Sequence, residues 1–128
     1  VKSYEKALAV NPDYVEAHNN LGNAFKDLGQ LDDAVKSYEK ALDLKPDYAY
    51  AHNNLGNAFK DLGQLDAAVR CYEKALALNP EYAFAHNNLG NALKDLGQLD
   101  DAIKSYEKAL ALNPEFTEAQ NNLGNAKV

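Results

Sequence analysis

The sequence has no tryptophan, no methionine and one cysteine, Cys71. A single thiol excludes an internal disulfide, so nothing covalent staples the chain, and a reducing compartment such as the cytoplasm suits it. No stretch approaches the roughly 18 consecutive apolar residues that a helical membrane span needs. No signal-peptide pattern opens the chain, although a start at Val1 leaves a removed leader open. Positive charge is in deficit: 13 Lys and Arg against 19 Asp and Glu leave a formal −6 at pH 7. A net acidic surface repels phosphate backbones, which argues against nucleic acid as the main partner. What is present is ordinary for a folded protein: 128 residues, 46% apolar and 25% charged, are enough for one domain and too apolar for wholesale disorder.

Prolines number four, and their placement is regular. Pro12, Pro46, Pro80 and Pro114 are 34 residues apart. The text between them repeats too. AHNNLGNAFKDLGQLD begins at Ala17 and Ala51, and a near copy carrying Leu93 begins at Ala85; SYEKAL begins at Ser3, Ser37 and Ser105, with CYEKAL at Cys71. Residues 15–48 and 49–82 agree at 26 of 34 positions, too many for chance. A 34-residue period is the mark of a solenoid. The chain divides into complete units 15–48, 49–82 and 83–116. Residues 1–14 read as the second helix of a truncated unit and 117–128 as a partial first helix of a further one.

Each unit reads as two helices. In the first, expected over 14–27, Leu21, Ala24, Phe25 and Leu28 recur at spacings of three and four. Asp13 and Glu16 make an Asp variant of a capping box at its start. Gly29, Gly63 and Gly97 stand where a left-handed residue ends a helix. The second helix, expected over 32–44, has the stripe Ala34, Val35, Tyr38, Ala41 and Leu42, and Pro46 forbids its continuation. Gly22, Gly56 and Gly90 fall inside the first helix, where glycine costs about 1 kcal/mol relative to alanine. Close approach of the partner helix offsets that cost.

With these residues in place the sequence resembles the tetratricopeptide repeat family along its whole length. The family positions are filled by His18, Leu21, Gly22, Phe25, Ala34, Tyr38, Ala41 and Pro46, and again one and two periods later. It departs in carrying histidine where the family usually has a large apolar residue, and Leu93 in place of an aromatic. The resemblance implies an all-α, right-handed superhelical solenoid of antiparallel helix pairs. The first helices would line a concave groove that docks peptides and proteins and carries no chemistry of its own.

Asparagine is a middling helix former, yet Asn19, Asn20 and Asn23 recur as Asn53, Asn54 and Asn57, as Asn87, Asn88 and Asn91, and as Asn121, Asn122 and Asn125. A carboxamide both donates and accepts, so a row of them can hold an extended peptide by its backbone. The row resembles the asparagine ladder of the O-linked N-acetylglucosamine transferases, whose position matches Asn20, Asn54, Asn88 and Asn122. The alternative is that some of these asparagines bond between helices, or are inherited from the family consensus. A second family site, the clamp for a C-terminal carboxylate, is a poor match. The chain keeps Asn23 and Asn54, but Asn19, Phe84 and Asn88 stand where that site needs cations. Tyr50 and Phe84, where other units carry Glu16 and Glu118, form a sticky patch if they face the groove. Asp27, Asp61 and Asp95 lend it acidity that Lys26, Lys60 and Lys94 partly offset.

The remaining tempting residues read as structure. His18, His52 and His86 lie one to a unit, without a second ligand nearby, so no metal site is expected. Cys71 has no base beside it, and no motif for a nucleotide, another cofactor or covalent catalysis occurs. Tyr14, Tyr48, Tyr82 and Phe116 read as the joint between units. Tyr4, Leu8 and Leu123 should be partly exposed at ends that have no capping helix, as if the chain were cut from a longer array. The two ends are complementary, so head-to-tail self-association is expected. The expected function is therefore a protein-interaction scaffold, not an enzyme, binding an extended peptide segment. The alternatives are a self-assembling structural module, or the non-catalytic, substrate-recruiting arm of a larger glycosyltransferase-like protein.

Overall fold

Each Leu-Gly-Gln tripeptide closes one helix and opens the next. In the computed structural model, which describes residues 2–11 and 13–128, Gly29, Gly63 and Gly97 have φ of 78°, 80° and 82°. At the first of these turns the Gly29 amide bonds to the Lys26 carbonyl at 2.9 Å and the Gln30 amide to the Phe25 carbonyl at 2.8 Å. That pair of bonds is a Schellman motif, which satisfies the last helical carbonyls and reverses the chain. The described residues form eight helices: α1 (Lys2–Val10), α2 (Val15–Asp27), α3 (Leu31–Leu44), α4 (Ala49–Asp61), α5 (Leu65–Leu78), α6 (Ala83–Asp95), α7 (Leu99–Leu112) and α8 (Thr117–Lys127). The fold is all-α, built from consecutive antiparallel pairs. Val1 and Pro12, the first of the periodic prolines, lie outside the described residues. Among those described, no helix is long and apolar enough to cross a membrane.

The expected capping box at Asp13 does not form. The N-cap is Tyr14, extended at φ −77° and ψ 96°, with no side-chain cap bond. Asp13 is thus one position too early to reach the third helical amide. The aromatic is held at the cap for another reason: at the equivalent place the rings of Tyr48, Tyr82 and Phe116 pack in the joints between units. The second helices end as expected. Lys45, held before Pro46, turns out to φ −142°.

Within each pair one tyrosine fills the seam. Tyr38, Tyr72 and Tyr106 have no exposed surface. A Cβ added at Gly22, Gly56 or Gly90 would lie 2.5, 2.7 or 2.6 Å from the Cε1 of those rings. The mid-helix glycines therefore make room for a side chain of the partner helix. Ala34, Ala41 and their copies, fully buried, let the backbones come close. Phe59 packs against the apolar clusters on both sides of it, so the core runs on from one unit to the next.

The curvature follows from which helices touch. α2 meets α4, α4 meets α6 and α6 meets α8, whereas no Cα atom of α3 comes within 8 Å of one in α5, nor any of α5 within 8 Å of one in α7. First helices are drawn together on the inner side, and second helices splay on the outer side.

Candidate functional site

The inner face is lined by α2, α4, α6 and α8, and its asparagines fall into three classes. Asn23, Asn57 and Asn91 are half-buried, and their Oδ1 atoms accept the hydroxyls of Tyr38, Tyr72 and Tyr106 at 2.5, 2.5 and 2.6 Å. They stitch the two helices of one unit together. Asn19, Asn53 and Asn87 are buried, only 5%, 4% and 1% exposed. Each accepts a bond from the unit that follows: Asn54 Nδ2 to Asn19 Oδ1, Asn88 to Asn53 and Asn122 to Asn87, all at 3.1 Å. The step is 35 residues, one period plus one, which tilts the row across the helices.

The donors of this ladder form the third class. Asn54, Asn88 and Asn122 are half-buried and Asn20 is exposed. A carboxamide offers two N–H groups and an oxygen. Asn54, Asn88 and Asn122 each commit one N–H to the ladder, while the oxygen and second N–H take no protein partner among the described residues. The ladder constrains these half-buried amides and leaves an N–H and an oxygen of each uncommitted.

An aromatic row runs beside the ladder. Tyr50 and Phe84 are 55% and 60% exposed. The ring of Tyr50 meets Tyr48 and Tyr82 edge-on at 5.9 and 5.3 Å, and Phe84 meets Phe116 at 5.1 Å. Row and ladder join where Asn53 Nδ2 donates to the Tyr82 hydroxyl at 3.3 Å. One unit on, Phe116 has no hydroxyl, and Asn87 Nδ2 donates instead to Glu118 Oε1 at 3.3 Å. Burial pushes the Tyr82 phenol up to about 12, helped by Tyr50 and opposed by the Asn53 bond. Burial first, and Asp95 next, push Tyr106 up to about 12. Tyr38 and Tyr72 are raised further still, by burial and by Asp27 and Asp61.

Lys26 lies 3.6 Å from Asp61, and Lys60 lies 3.8 Å from Asp95, each pair bridging neighbouring units. The histidines are structural: His52 and His86 are buried, and their Nε2–H groups donate to the carbonyls of Pro46 and Pro80 at 2.9 Å. Gln120 takes that role in the last unit, donating to the Pro114 carbonyl at 2.7 Å. Among the described residues no group of three His, Cys, Asp or Glu is placed to hold a metal ion. Cys71 is buried and its thiol is pushed up to about 11, chiefly by burial, so it stays protonated at neutral pH.

Sequence reasoning offered bonding between helices as the alternative role for some of these asparagines, but it did not say which of them bond and to what. The signal for the tyrosine bond was there, since Asn23 and Tyr38 recur as a pair 15 residues apart in every unit. The ladder between units had no such signal, because it depends on how closely the first helices stack.

Comparison with known proteins matches this repeat. A model described as TPR repeat fits residues 1–29, 22–63 and 56–97, and one described as tetratricopeptide repeat fits residues 83–116. The crystal structure of MamA superposes with a TM-score of 0.88 at 34% identity, covering 98% of this chain and 73% of that one. The first TPR of Spaghetti (RPAP3), solved bound to the HSP90 peptide SRMEEVD, gives 0.86 at 30% identity, over 88% of this chain and 90% of that one. The NMR structure of the first TPR domain of human RPAP3 gives 0.88 at 30%, over 91% and 92% of the two chains. No curated protein matches the chain.

Proposed function

The chain belongs to the tetratricopeptide repeat family, and from that premise we propose that it is a non-catalytic scaffold whose inner groove binds an extended peptide segment of another protein. The observation that carries this is the fixed row Asn54, Asn88 and Asn122, each with a carbonyl and an N–H uncommitted. Such a row can pair with the backbone of a partner whatever its side chains. Asn20 extends the row, and Asn19, Asn53 and Asn87 hold it from behind. Asn23, Asn57 and Asn91 tie it to the second helices. Tyr50 and Phe84 supply exposed anchors alongside. A structural relative solved with the peptide SRMEEVD lends the groove precedent. The reading of this chain as the arm of a larger glycosyltransferase-like protein rests on the asparagine spacing alone.

The test is a titration of the soluble chain against a display library of unstructured peptides, repeated with Asn20→Ala, Asn54→Ala and Asn88→Ala combined. Unfolding midpoints are measured alongside, because the change removes bonds between units. Saturable binding that the folded variant loses supports the groove. Binding that the variant keeps sinks it.

Self-association is a second reading, favoured by one observation. A Cβ at Gly124 on α8 would meet nothing within 4 Å, whereas its counterparts face a tyrosine. Tyr4 on α1 occupies the repeat position of Tyr38, so α1 of a second copy offers the ring that this glycine position faces in the other units. Sedimentation at rising concentration, with Tyr4→Ala as the control, checks it; a strict monomer removes the reading.

A further inference from the structure

The splay of the second helices leaves a groove of about 950 Å³ on the outer side, between α3 and α5. Its floor is apolar, made by Leu55 and Phe59 of α4, with Leu42 and Leu78 on the walls. α5 turns one whole stripe to it: Ala67, Arg70, Cys71, Lys74, Ala77 and Leu78, at spacings of three and four. Ala68, Tyr72 and Ala75, the buried side of the same helix, face the core instead.

The sequence singles out the same place. Residues 49–82 differ from both neighbouring units, where those two agree, at three positions only. Ala67 replaces Asp33 and Asp101, Arg70 replaces Lys36 and Lys104, and Cys71 replaces Ser37 and Ser105. All three line the groove. Two of the changes remove polarity, and the protonated Cys71 thiol adds apolar wall. Changes scattered over a unit would not converge on one surface.

The rims carry opposite charge. Glu39 and Asp43 stand one turn apart on α3, and Arg70 and Lys74 one turn apart on α5. Among the described residues no ion pair within 4 Å joins the two rims. An apolar trough between an acidic and a basic rail fits an amphipathic helix, which lays an apolar stripe into a groove and carries its charges on the flanks. We propose that this outer groove docks an amphipathic helix of a partner protein, with basic residues flanking its apolar stripe toward α3 and acidic residues toward α5. The site does not depend on the inner groove.

The probe is a designed 14-residue peptide, the length of α5, held helical by a side-chain staple. It has leucines along one stripe, lysines on one flank and glutamates on the other. Two controls keep the stripe and carry lysine on both flanks or glutamate on both. The mixed peptide binds, and each control binds about fivefold to tenfold more weakly at low salt. Arg70→Glu with Lys74→Glu moves the preference to the all-lysine peptide. Ala67→Asp, Arg70→Lys and Cys71→Ser together restore the residues of the adjacent units, which fold with them, and weaken binding about tenfold. The inner-groove asparagine variant binds the mixed peptide unchanged. No binding by the mixed peptide, equal binding of all three, or binding untouched by the triple reversion overturns the proposal. So does loss of binding in the asparagine variant.

Discussion

The side-chain amide of Asn54 donates to the side-chain oxygen of Asn19, one repeat and one residue earlier, across 3.1 Å. Asn19 is 5% exposed, so water cannot replace that donor at its buried oxygen. Asn54→Ala is therefore expected to destabilise the chain by about 1–2 kcal/mol. Urea unfolding of both single variants and the double variant with Asn19→Ala should give a coupling energy clearly different from zero. Strict additivity would mean that the bond contributes nothing.

Two glycines at the same repeat position should respond in opposite directions. Gly56→Ala gains about 1 kcal/mol of helix propensity. Its Cβ, however, would lie 2.7 Å from a Tyr72 ring that has no exposed surface and no room to move. A net loss of about 1–3 kcal/mol follows. Gly124→Ala meets nothing within 4 Å and should gain up to about 1 kcal/mol. Chemical denaturation of the two variants decides it; the same sign for both would refute the packing argument.

Alkali should unfold the chain earlier than deprotonation of its lysines alone would bring about. Burial raises Tyr38, Tyr72, Tyr82 and Tyr106 above the usual phenol value of 10. A raised folded-state value favours the protonated form in the native state. The associated stability is complete below the unfolded value and falls as pH rises from about 10 through the folded values. Phenolate absorbance and helical circular dichroism, followed together from pH 9 to 12.5, should show the late-ionising tyrosines appearing with loss of helix. Full ionisation with helix intact would contradict this.

The peptide SRMEEVD, bound by a structural relative, should bind this chain more weakly than about 1 mM. Its acidic end needs cations, and Asn19, Phe84 and Asn88 are neutral. Calorimetric titration at low salt measures this, and micromolar binding would restore the carboxylate-clamp reading.

How much of this was legible in the sequence depends on how local the physics is. Gly29 and Pro46 act through their own backbone restrictions, so helix ends could be placed within a residue or two. Gly22 was correctly read as a site of close approach, because a mid-helix glycine is a cost that packing must offset. Asp13 misled, since the cap position is set by where the aromatic joint needs Tyr14. The buried state of Asn19 was not legible: a polar type suggests surface, and only the neighbouring α4 supplies its donor. The outer groove was only half legible: Ala67, Arg70 and Cys71 stand out against the neighbouring units, but the space they line arises from the distance between α3 and α5.

The uneven stacking of the helices has a mechanical consequence. The first helices are stitched to one another by the asparagine bonds, while α3 and α5 stand apart. When such a rod bends, the stitched line keeps its length and serves as the neutral axis, and the outer side takes up the strain. A body wedged between α3 and α5 would spread the outer side and close the arc within.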